Sequence, residues 1–388
     1  MTKYTTVFGD LLRHFSRSDF EAAVSGYKAD FRIRKLSCYD LFKSMIYGLV
    51  SGCFSVRDIE ASMKANQNRL YHAGIKEPIK RSTFCDALEN RRHDVFKSAF
   101  HTLVDKAQSI AGRVKKKFKD PLRIIDASVI CLCLSMFNWA KYSKSKGAIK
   151  LHMNLDGDCL MPYDACLTEG RTHDARQMQN LCQESGVIYV MDRGYMCYKS
   201  LYAIEKCGSI FVTRSKKNMK YKIVKYNAHD EGGSILSDVL IELAGSNSQE
   251  KYPKQLRKIK FLDPETKKQY EFLTNDMGRE AEEIAAIYKE RWQVELFFKW
   301  IKQNLKVKSF WGTSANAVYS QIWVALILSI LLWINTALNG IKESPHKILV
   351  MLKTTLLTKN TIDGLCTNSS PPKPMDNSFQ PFLEGFKC

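Results

Sequence analysis

The chain has 388 residues, of which 45% are hydrophobic and 26% are charged, a balance typical of globular proteins. This length exceeds the ~100–200 residues of one ordinary domain, so we expect two or three packed units and exclude disorder throughout. Lysine and arginine outnumber aspartate and glutamate by 59 to 40, and the net charge of +19 favours a polyanionic partner. Nucleic acid and an anionic membrane surface are the two candidates.

The sequence offers no membrane anchor and no export signal. The most apolar run, from Ile322 to Ile334, is shorter than the ~20 residues that span a bilayer, so we interpret it as a buried helix. The N-terminus lacks the apolar core of a signal peptide, and we expect the protein to stay in the cytoplasm. Twelve cysteines are scattered without a C-x-x-C pair, which predicts reduced thiols rather than disulfides or a zinc site.

The first hundred residues show helical spacing of apolar side chains. Residues 41–50 and 95–107 predict two amphipathic helices, and two shorter helices lie between them, the second surrounded by basic residues. We therefore predict an all-α N-terminal DNA-binding domain over residues 1–112. A helix-turn-helix-like DNA reader is one interpretation, and a helical bundle with merely solvated basic residues is the other.

Strand patterns follow the basic segment Arg113–Lys119, where we place a domain boundary. Asp156 and Gly157 supply a hairpin turn within three consecutive antiparallel strands. The complete order is three strands, helix, strand, helix and strand, which is the order of an RNase H-like fold. The predicted elements are a strand from Leu122 to Ile125 that leads into Asp126 and then Val129–Leu134, strands over 148–155 and 159–167, a helix from Thr172 or Asp174 to Gly186, a strand over 187–191, a helix over 198–206 and a strand over 209–213.

The second half of the chain continues with strands and then with helices. Residues 214–276 are basic and strand-like, and we interpret them as a β insertion in a catalytic domain over residues 113–345. A single long helix is predicted from about Arg279 to Leu305, followed by the buried helix around 322–338. Residues 346–388 are predicted to be a C-terminal helix and a disordered tail rich in proline and serine. The predicted strands of the insertion are 221–226, 235–243, 256–262 and 270–273.

Four polar residues share one face of the predicted long helix. Tyr288, Arg291, Glu295 and Lys302 stand at positions i, i+3, i+7 and i+14, which places them within an arc of about 60° at ~100° per residue. An acid, two cations and a phenol on one face suit a metal ion and a phosphate. The alternative is a solvated face with an Arg291–Glu295 pair at i and i+4.

Two further carboxylates follow apolar strands, where functional sites commonly form. Asp126 comes after the strand that begins at Leu122, and Asp192 comes after Val187–Met191. With Glu295 they make three acids that can hold two divalent cations, which activate an attacking water or hydroxyl and stabilise the leaving oxygen at phosphorus. Hard oxygen ligands and a phosphate substrate favour Mg²⁺. Each Asp taken alone is more often a turn or capping residue.

The motif Tyr-x2-Arg-x3-Glu-x6-Lys, with Asp126 in Ile-Ile-Asp-Ala-Ser and Asp192 in Met-Asp-Arg-Gly-Tyr, resembles the signature of a known enzyme family. The resemblance is to DDE transposases of the insertion-sequence-four family, and it covers residues from about 120 to 310. It implies that Asp126, Asp192 and Glu295 are the metal-binding catalytic acids. It also implies that three residues position the terminal phosphates of the transposon end, namely Tyr288, Arg291 and Lys302.

The resemblance implies cut-and-paste transposition of an insertion sequence. Two Mg²⁺ ions per site, with Mn²⁺ able to substitute, would support end nicking, hairpin formation and strand transfer on double-stranded DNA. The expected partners are the terminal inverted repeats, the target DNA and a second copy of the chain in a homodimer on paired ends. The chain departs from the family at the hairpin step, because none of its six tryptophans lies in the β insertion. A flipped base would have to stack on another aromatic residue, such as Tyr221, Tyr226, Phe261 or Tyr270.

Two rival functions share these residues. A metal-dependent DNA nuclease without strand transfer would carry the same three acids, and an inactive derivative could retain DNA binding alone. Basic clusters predict backbone contacts with DNA, although some of their lysines must be ordinary solvated residues. His152 and His173 lie near the predicted catalytic strands, and a hydrogen-bonded structural role is the simpler interpretation of both. The basic clusters are residues 113–119, 141–150, 214–225 and 251–260.

Overall fold

A computed structural model of the chain describes residues 6–143, 146–228, 232–305, 307 and 309–367. The chain forms two compact units. Unit 1 comprises residues 1–114, 130–149 and 296–388, and unit 2 comprises residues 115–129 and 150–295. The predicted domains 1–112, 113–345 and 346–388 divide the chain differently, and their boundaries stay a prediction. Residues 368–388 of the predicted tail lie outside the described residues.

Helices occupy most of the described N-terminal and C-terminal residues, and further helices alternate with the strands. The helices are α1 (Val7–Leu11), α2 (Arg17–Ser25), α3 (Cys38–Val50), α4 (Val56–Ala65), α5 (Gln67–Leu70), α6 (Arg81–Asn90), α7 (Asp94–Ala111), α8 (Met178–Leu181), α9 (Tyr198–Lys206), α10 (Ser246–Lys251), α11 (Ala281–Lys289), α12 (Trp292–Asn304), α13 (Ala315–Asn339), α14 (Pro345–Thr355) and α15 (Ile362–Thr367). Short 3₁₀ turns cover Tyr71–Ala73, Asp174–Gln177 and Arg193–Tyr195.

The core of unit 1 is built around α13. This helix is long and apolar enough to cross a membrane by length and composition, but 94% of its most apolar 18-residue window is buried inside the protein. Phe100 of α7 packs against Trp323 of α13 with 5.3 Å between ring centroids. The buried helix predicted around 322–338 therefore exists, but it begins seven residues earlier, because Ser314 caps its N-terminus by accepting from the Ala317 N–H.

The N-terminal helices do not form a tight helix-turn-helix motif. Ser55 caps α4 in a reciprocal capping box with Asp58, as expected for a serine before an apolar helical repeat. However, α5 and a 3₁₀ turn lie between α4 and α6, whereas the motif joins its helices by a turn of about three to four residues. The described residues 6–111 thus form a helical array. The helix-turn-helix interpretation is wrong about the segment that joins α4 to α6.

A mixed sheet carries the site in unit 2. Its nine described strands are arranged in the order β3-β2-β1-β4-β5-β9-β8-β7-β6. The central strands β1, β4 and β5 are parallel, and β9, β8, β7 and β6 continue the sheet antiparallel. The strands are β1 (Leu122–Leu132), β2 (Gly147–Asp156), β3 (Pro162–Glu169), β4 (Ile188–Met191), β5 (Ile210–Arg214), β6 (Tyr221–Tyr226), β7 (Ile235–Leu243), β8 (Leu256–Leu262) and β9 (Gln269–Thr274).

This strand order and its helices fit an RNase H-like core. The four strands of the predicted β insertion are present. The sequence did not show that β9 pairs with β5, so that the insertion extends the catalytic sheet and is not a separate layer. A buried ion pair fixes this extension, since Arg257 of β8 donates to both carboxylate oxygens of Asp238 on β7.

Three predicted elements differ in the structure. The helix expected from residue 172 or 174 to Gly186 is only a 3₁₀ turn and the four-residue α8. The long helix expected over 279–305 is two helices, because i→i−3 hydrogen bonds at Arg291, Gln293 and Val294 interrupt the α-helical pattern between α11 and α12. Asp126 does not end a strand, since β1 runs on to Leu132 beyond the end of its partner β4.

Candidate active site

Asp126 and Asp192 lie side by side because two parallel strands pair in register. In β1 and β4, Ile125 is opposite Met191, and each aspartate is the next residue along its own strand. Neighbouring strands are ~4.8 Å apart, so the two carboxylates start from adjacent backbone positions. Asp126 lies where β1 passes the end of β4, and its side chain is 17% exposed.

Arg291 connects two of the three predicted acids. It lies in the break between α11 and α12, and its Nη1 is 2.8 Å from Oδ2 of Asp126. Its Nη2 donates to Oε1 of Glu295, which lies one turn further on, in α12. The sequence predicted the pair with Glu295 as an alternative to a functional face. It gave no sign of the pair with Asp126, which joins residues 165 positions apart.

Burial and neighbouring charges set the pKa of Asp126. Burial, together with the carboxylates of Asp192 and Glu295, raises its pKa to about 6, against the opposing effects of Arg291 and the Ala127 N–H. Like charges disfavour one another's ionised form only at short range, so Asp192 and Glu295 both act within the same site. A cluster of acids under mutual repulsion attracts cations.

Tyr288 and Lys302 lie in different helices. Tyr288 packs against Phe272 of β9 with 4.8 Å between ring centroids, and burial raises its pKa to about 12. Lys302 lies in α12 two turns beyond Glu295, in the part of that helix that belongs to unit 1. The prediction assumed one unbroken helix, whereas the four residues are divided by the break between α11 and α12, and their common face stays a prediction.

His152 has the structural role that the sequence favoured. It is fully buried, and its Nδ1 and Nε2 form hydrogen bonds with Tyr195 Oη (3.0 Å) and Thr168 Oγ1 (2.9 Å). Burial lowers its pKa to about 4, so the ring is neutral near pH 7. His173 is exposed.

Comparison with known protein families decides the assignment. The family described as "Transposase DDE domain" matches residues 117–331, which is more than half of the chain. The chain belongs to this family of transposases. A second family, described only as a domain of unknown function (DUF4372), matches residues 3–76 of the transposase.

Relatives of the transposase carry the same kind of name. A protein of Sinorhizobium fredii named as a transposase is 36% identical over 66% of this chain and 71% of its own length. A protein of Geobacillus stearothermophilus named for insertion sequence element IS5377 is 29% identical over 62% of this chain and 63% of its own length. A protein of Synechocystis named for insertion sequence element IS4SA is 26% identical over 81% of this chain and 88% of its own length.

Among solved structures, the cryo-EM structure of a piggyBac transposase synaptic complex with hairpin DNA aligns with a TM-score of 0.48. The alignment covers 96% of this chain and 83% of that chain at 11% identity. At this score the likeness carries no argument about the transposase described here.

The acids of the transposase fit the divalent metal ion on which DDE transposases depend. Asp126, Asp192 and Glu295 offer hard carboxylate oxygens, the donors that Mg²⁺ and Mn²⁺ take. Across the described residues, no three His, Cys, Asp or Glu side chains are arranged to hold a cation, and Arg291 is paired with two of the acids.

Two polar atoms beside the acids have unused hydrogen-bonding capacity. Within the described part of the chain, Arg291 Nε and Tyr288 Oη are buried and have no hydrogen-bond partner. A buried polar atom without a partner costs about 1–3 kcal/mol, so such atoms commonly mark a place that a ligand completes. A phosphate oxygen can accept from both.

The sequence missed Asp174, which lies next to Asp192. The Oδ2 atoms of Asp174 and Asp192 are 3.5 Å and 3.9 Å from the point where a Cβ on Gly194 would sit. Lys150 Nζ is 2.9 Å from Oδ1 of Asp174. The sequence treated Asp174 only as a possible helix cap, and nothing local shows that its loop approaches the end of β4.

Proposed function

We propose that this transposase moves an insertion sequence by cut-and-paste transposition and belongs to the insertion-sequence-four family. Asp126, Asp192 and Glu295 are its catalytic acids, and they hold two Mg²⁺ ions for which Mn²⁺ can substitute. The observation that carries the proposal is the register of β1 and β4, which aligns Asp126 with Asp192 at the Arg291–Glu295 pair. When bound, the cations activate the attacking oxygen and stabilise the leaving oxygen at phosphorus.

Arg291 has two roles in this proposal. In the free protein its guanidinium offsets the charges of Asp126 and Glu295, which would otherwise repel one another. On binding DNA it turns its donors to the terminal phosphate, for which a planar guanidinium is well suited. Tyr288 and Lys302 complete the phosphate contacts, Tyr288 through the buried hydroxyl that has no partner within the described residues.

The proposed reaction proceeds through a hairpin at the transposon end. Of the four aromatic residues considered for base stacking, Tyr226 on β6 is the most exposed, at 71%. Tyr221 is engaged with Lys258, and Tyr270 stacks on Phe272. We therefore assign Tyr226 to the flipped base. Hairpin ends would migrate on a denaturing gel as one strand of twice the length.

The central test is the isosteric variant Asp192→Asn. We expect it to abolish nicking and strand joining and to leave binding to the terminal repeats within about two-fold, because it removes a metal ligand and no basic residue. The control is Asp263→Asn, which removes the same charge from the exposed turn between β8 and β9. The measurement is cleavage of a labelled transposon end with Mg²⁺, alongside a binding titration. Retained nicking by Asp192→Asn contradicts the assignment.

Strand joining separates a transposase reaction from simple hydrolysis. Pre-cut ends incubated with a target plasmid should yield joined products that depend on Asp126, Asp192 and Glu295. Hydrolysis without joined products would instead favour a nuclease.

We further propose that the N-terminal helices bind the terminal repeats and that two copies act as a homodimer on paired ends in the cytoplasm. A cavity of about 320 Å³ in unit 1 supports the DNA-binding part, since its lining includes four lysines against two acids, Asp40 and Glu77, and Asp40 is already paired with Lys43. Light scattering with and without end DNA measures the proposed dimer. The lining lysines are Lys35, Lys43, Lys76 and Lys80.

A further inference from the structure

Tyr195 ties the turn that carries Asp192 to the interior of unit 2. Asp192 directly follows β4, and the next three residues form the 3₁₀ turn that ends at Tyr195. The backbone N–H of Tyr195 donates to the carbonyl of Asp192 at 3.0 Å. The Tyr195 side chain is fully buried. A rotation of the Asp192 backbone would therefore have to move a buried aromatic ring.

The Tyr195 hydroxyl is held by hydrogen bonds that lead to β2 and β3, the strands on the side of β1 away from β4. It bonds to Nδ1 of His152 on β2, and Nε2 of His152 bonds to Oγ1 of Thr168 on β3. Both ring nitrogens are thus used, and the neutral ring has no proton to spare for the reaction. These hydrogen bonds connect Tyr195, whose backbone N–H donates to the Asp192 carbonyl, to two neighbouring strands.

A second carboxylate lies near Asp192. A Cβ on Gly194 would lie 3.5 Å from Oδ2 of Asp174 and 3.9 Å from Oδ2 of Asp192, so both carboxylates approach this glycine. Lys150 pairs with Asp174 at 2.9 Å and donates to the carbonyl of Thr172 at the same distance, which fixes the loop that carries Asp174. The lysine also reduces the repulsion that Asp174 would exert on Asp192.

We propose that Tyr195, His152 and the Lys150–Asp174 pair are positioning residues that hold the Asp192 carboxylate in the orientation needed to bind a cation. This inference rests on the proposed role of Asp192 as a metal ligand. Partners of this kind orient metal ligands, and their loss typically lowers metal affinity or activity by about 10- to 100-fold. None of these residues needs to touch the substrate.

The test compares two buried tyrosines that each lose a hydroxyl. Tyr195→Phe removes the bond to His152, whereas the control Tyr189→Phe removes bonds to the backbone of Glu184 at the other end of β4. The full-length protein without DNA is titrated with Mn²⁺, and the free ion is followed by electron paramagnetic resonance. We expect Tyr195→Phe to weaken Mn²⁺ binding about ten-fold. Tyr189→Phe should bind as wild type does, although both variants lower the melting temperature.

Rescue by a conservative variant provides the second readout. His152→Asn keeps a polar atom near the position of Nδ1, so it should retain more Mn²⁺ affinity than His152→Ala. Equal effects of Tyr195→Phe and Tyr189→Phe on Mn²⁺ affinity would overturn the positioning role.

Asp192→Asn in the same titration separates the two proposals. If Asp192→Asn loses Mn²⁺ binding and Tyr195→Phe does not, only the positioning role fails. If the wild type binds no Mn²⁺, or Asp192→Asn binds it as well as the wild type does, the metal-ligand role of Asp192 fails and the positioning role falls with it.

Discussion

At the scale of single residues, burial decides the charge of His152. The folded protein keeps the ring neutral down to a pKa of about 4, whereas the unfolded chain takes up a proton near its ordinary pKa of 6.5. The unfolded state therefore binds more protons between these two values. The contribution of His152 to stability is complete above pH 6.5 and is lost as the pH falls towards 4.

This difference predicts a measurable pH dependence. Between pH 7 and pH 5 the wild type should lose about 2 kcal/mol more of its free energy of unfolding than His152→Asn, which does not titrate. Urea denaturation at the two pH values measures the difference. Ion-paired carboxylates titrate in both proteins and cancel in the comparison. An equal loss in both proteins would contradict a buried neutral histidine.

Arg291 shows how a residue gains a role from a distant partner. Its spacing from Glu295 is visible in the sequence, and a helix alone would explain it. The contact with Asp126 exists because β1 and the helix break meet in the folded chain. No spacing rule links residues so far apart.

At the scale of elements, the β insertion depends on a buried ion pair. Arg257 donates to Asp238 and also to the backbone carbonyls of Asp276 and Arg279, so one guanidinium joins β8, β7 and the segment before α11. Both side chains are almost completely buried. Removing one partner would leave a buried charge without its counter-ion.

We therefore expect Asp238→Asn to destabilise the protein by about 3 kcal/mol, the usual cost of breaking a buried pair. The control is Glu21→Gln, which breaks the exposed pair with Arg17 and should cost less than about 1 kcal/mol. Chemical denaturation of both variants measures the difference. Similar small effects in both would show that the ion pair does not hold the insertion to the sheet.

The break between α11 and α12 is an element that the sequence concealed. The segment contains no proline or glycine, so its apolar spacing predicts one continuous helix. The structure replaces i→i−4 hydrogen bonds with i→i−3 bonds around Arg291. A tertiary contact of a side chain, here that of Arg291 with Asp126, decides helix ends of this kind, rather than local helix propensity.

At the scale of the whole molecule, the net charge of +19 must be distributed over surfaces that bind DNA and surfaces that do not. Some basic residues of the predicted clusters serve the fold, as Arg257 and Lys150 show. Other basic residues, outside those clusters, line the cavity of unit 1, where Lys76 and Lys80 are exposed. Exposed lysines around one concave surface are suited to phosphate contacts.

The double variant Lys76→Ala, Lys80→Ala tests this surface. Loss of two phosphate contacts should lower the slope of log K against log salt concentration by about 2, with weaker binding to all DNA sequences. The control Lys97→Ala, Lys353→Ala removes the same charge from exposed positions that do not line the cavity. Equal slopes of log K against log salt concentration in both variants would show that DNA binds elsewhere on the protein.

By itself the sequence determined the elements whose signals are local. Alternating apolar residues predicted the insertion strands, helical repeats predicted α3 and α7, and the motif around Glu295 predicted the transposase family. Only the tertiary structure decided that Ile125 and Met191, the residues before Asp126 and Asp192, are in register, that Arg291 bridges two acids and that Asp174 and Asp192 both approach Gly194. These contacts join residues that are far apart in the chain, and packing and electrostatics fix them only after the strands have paired.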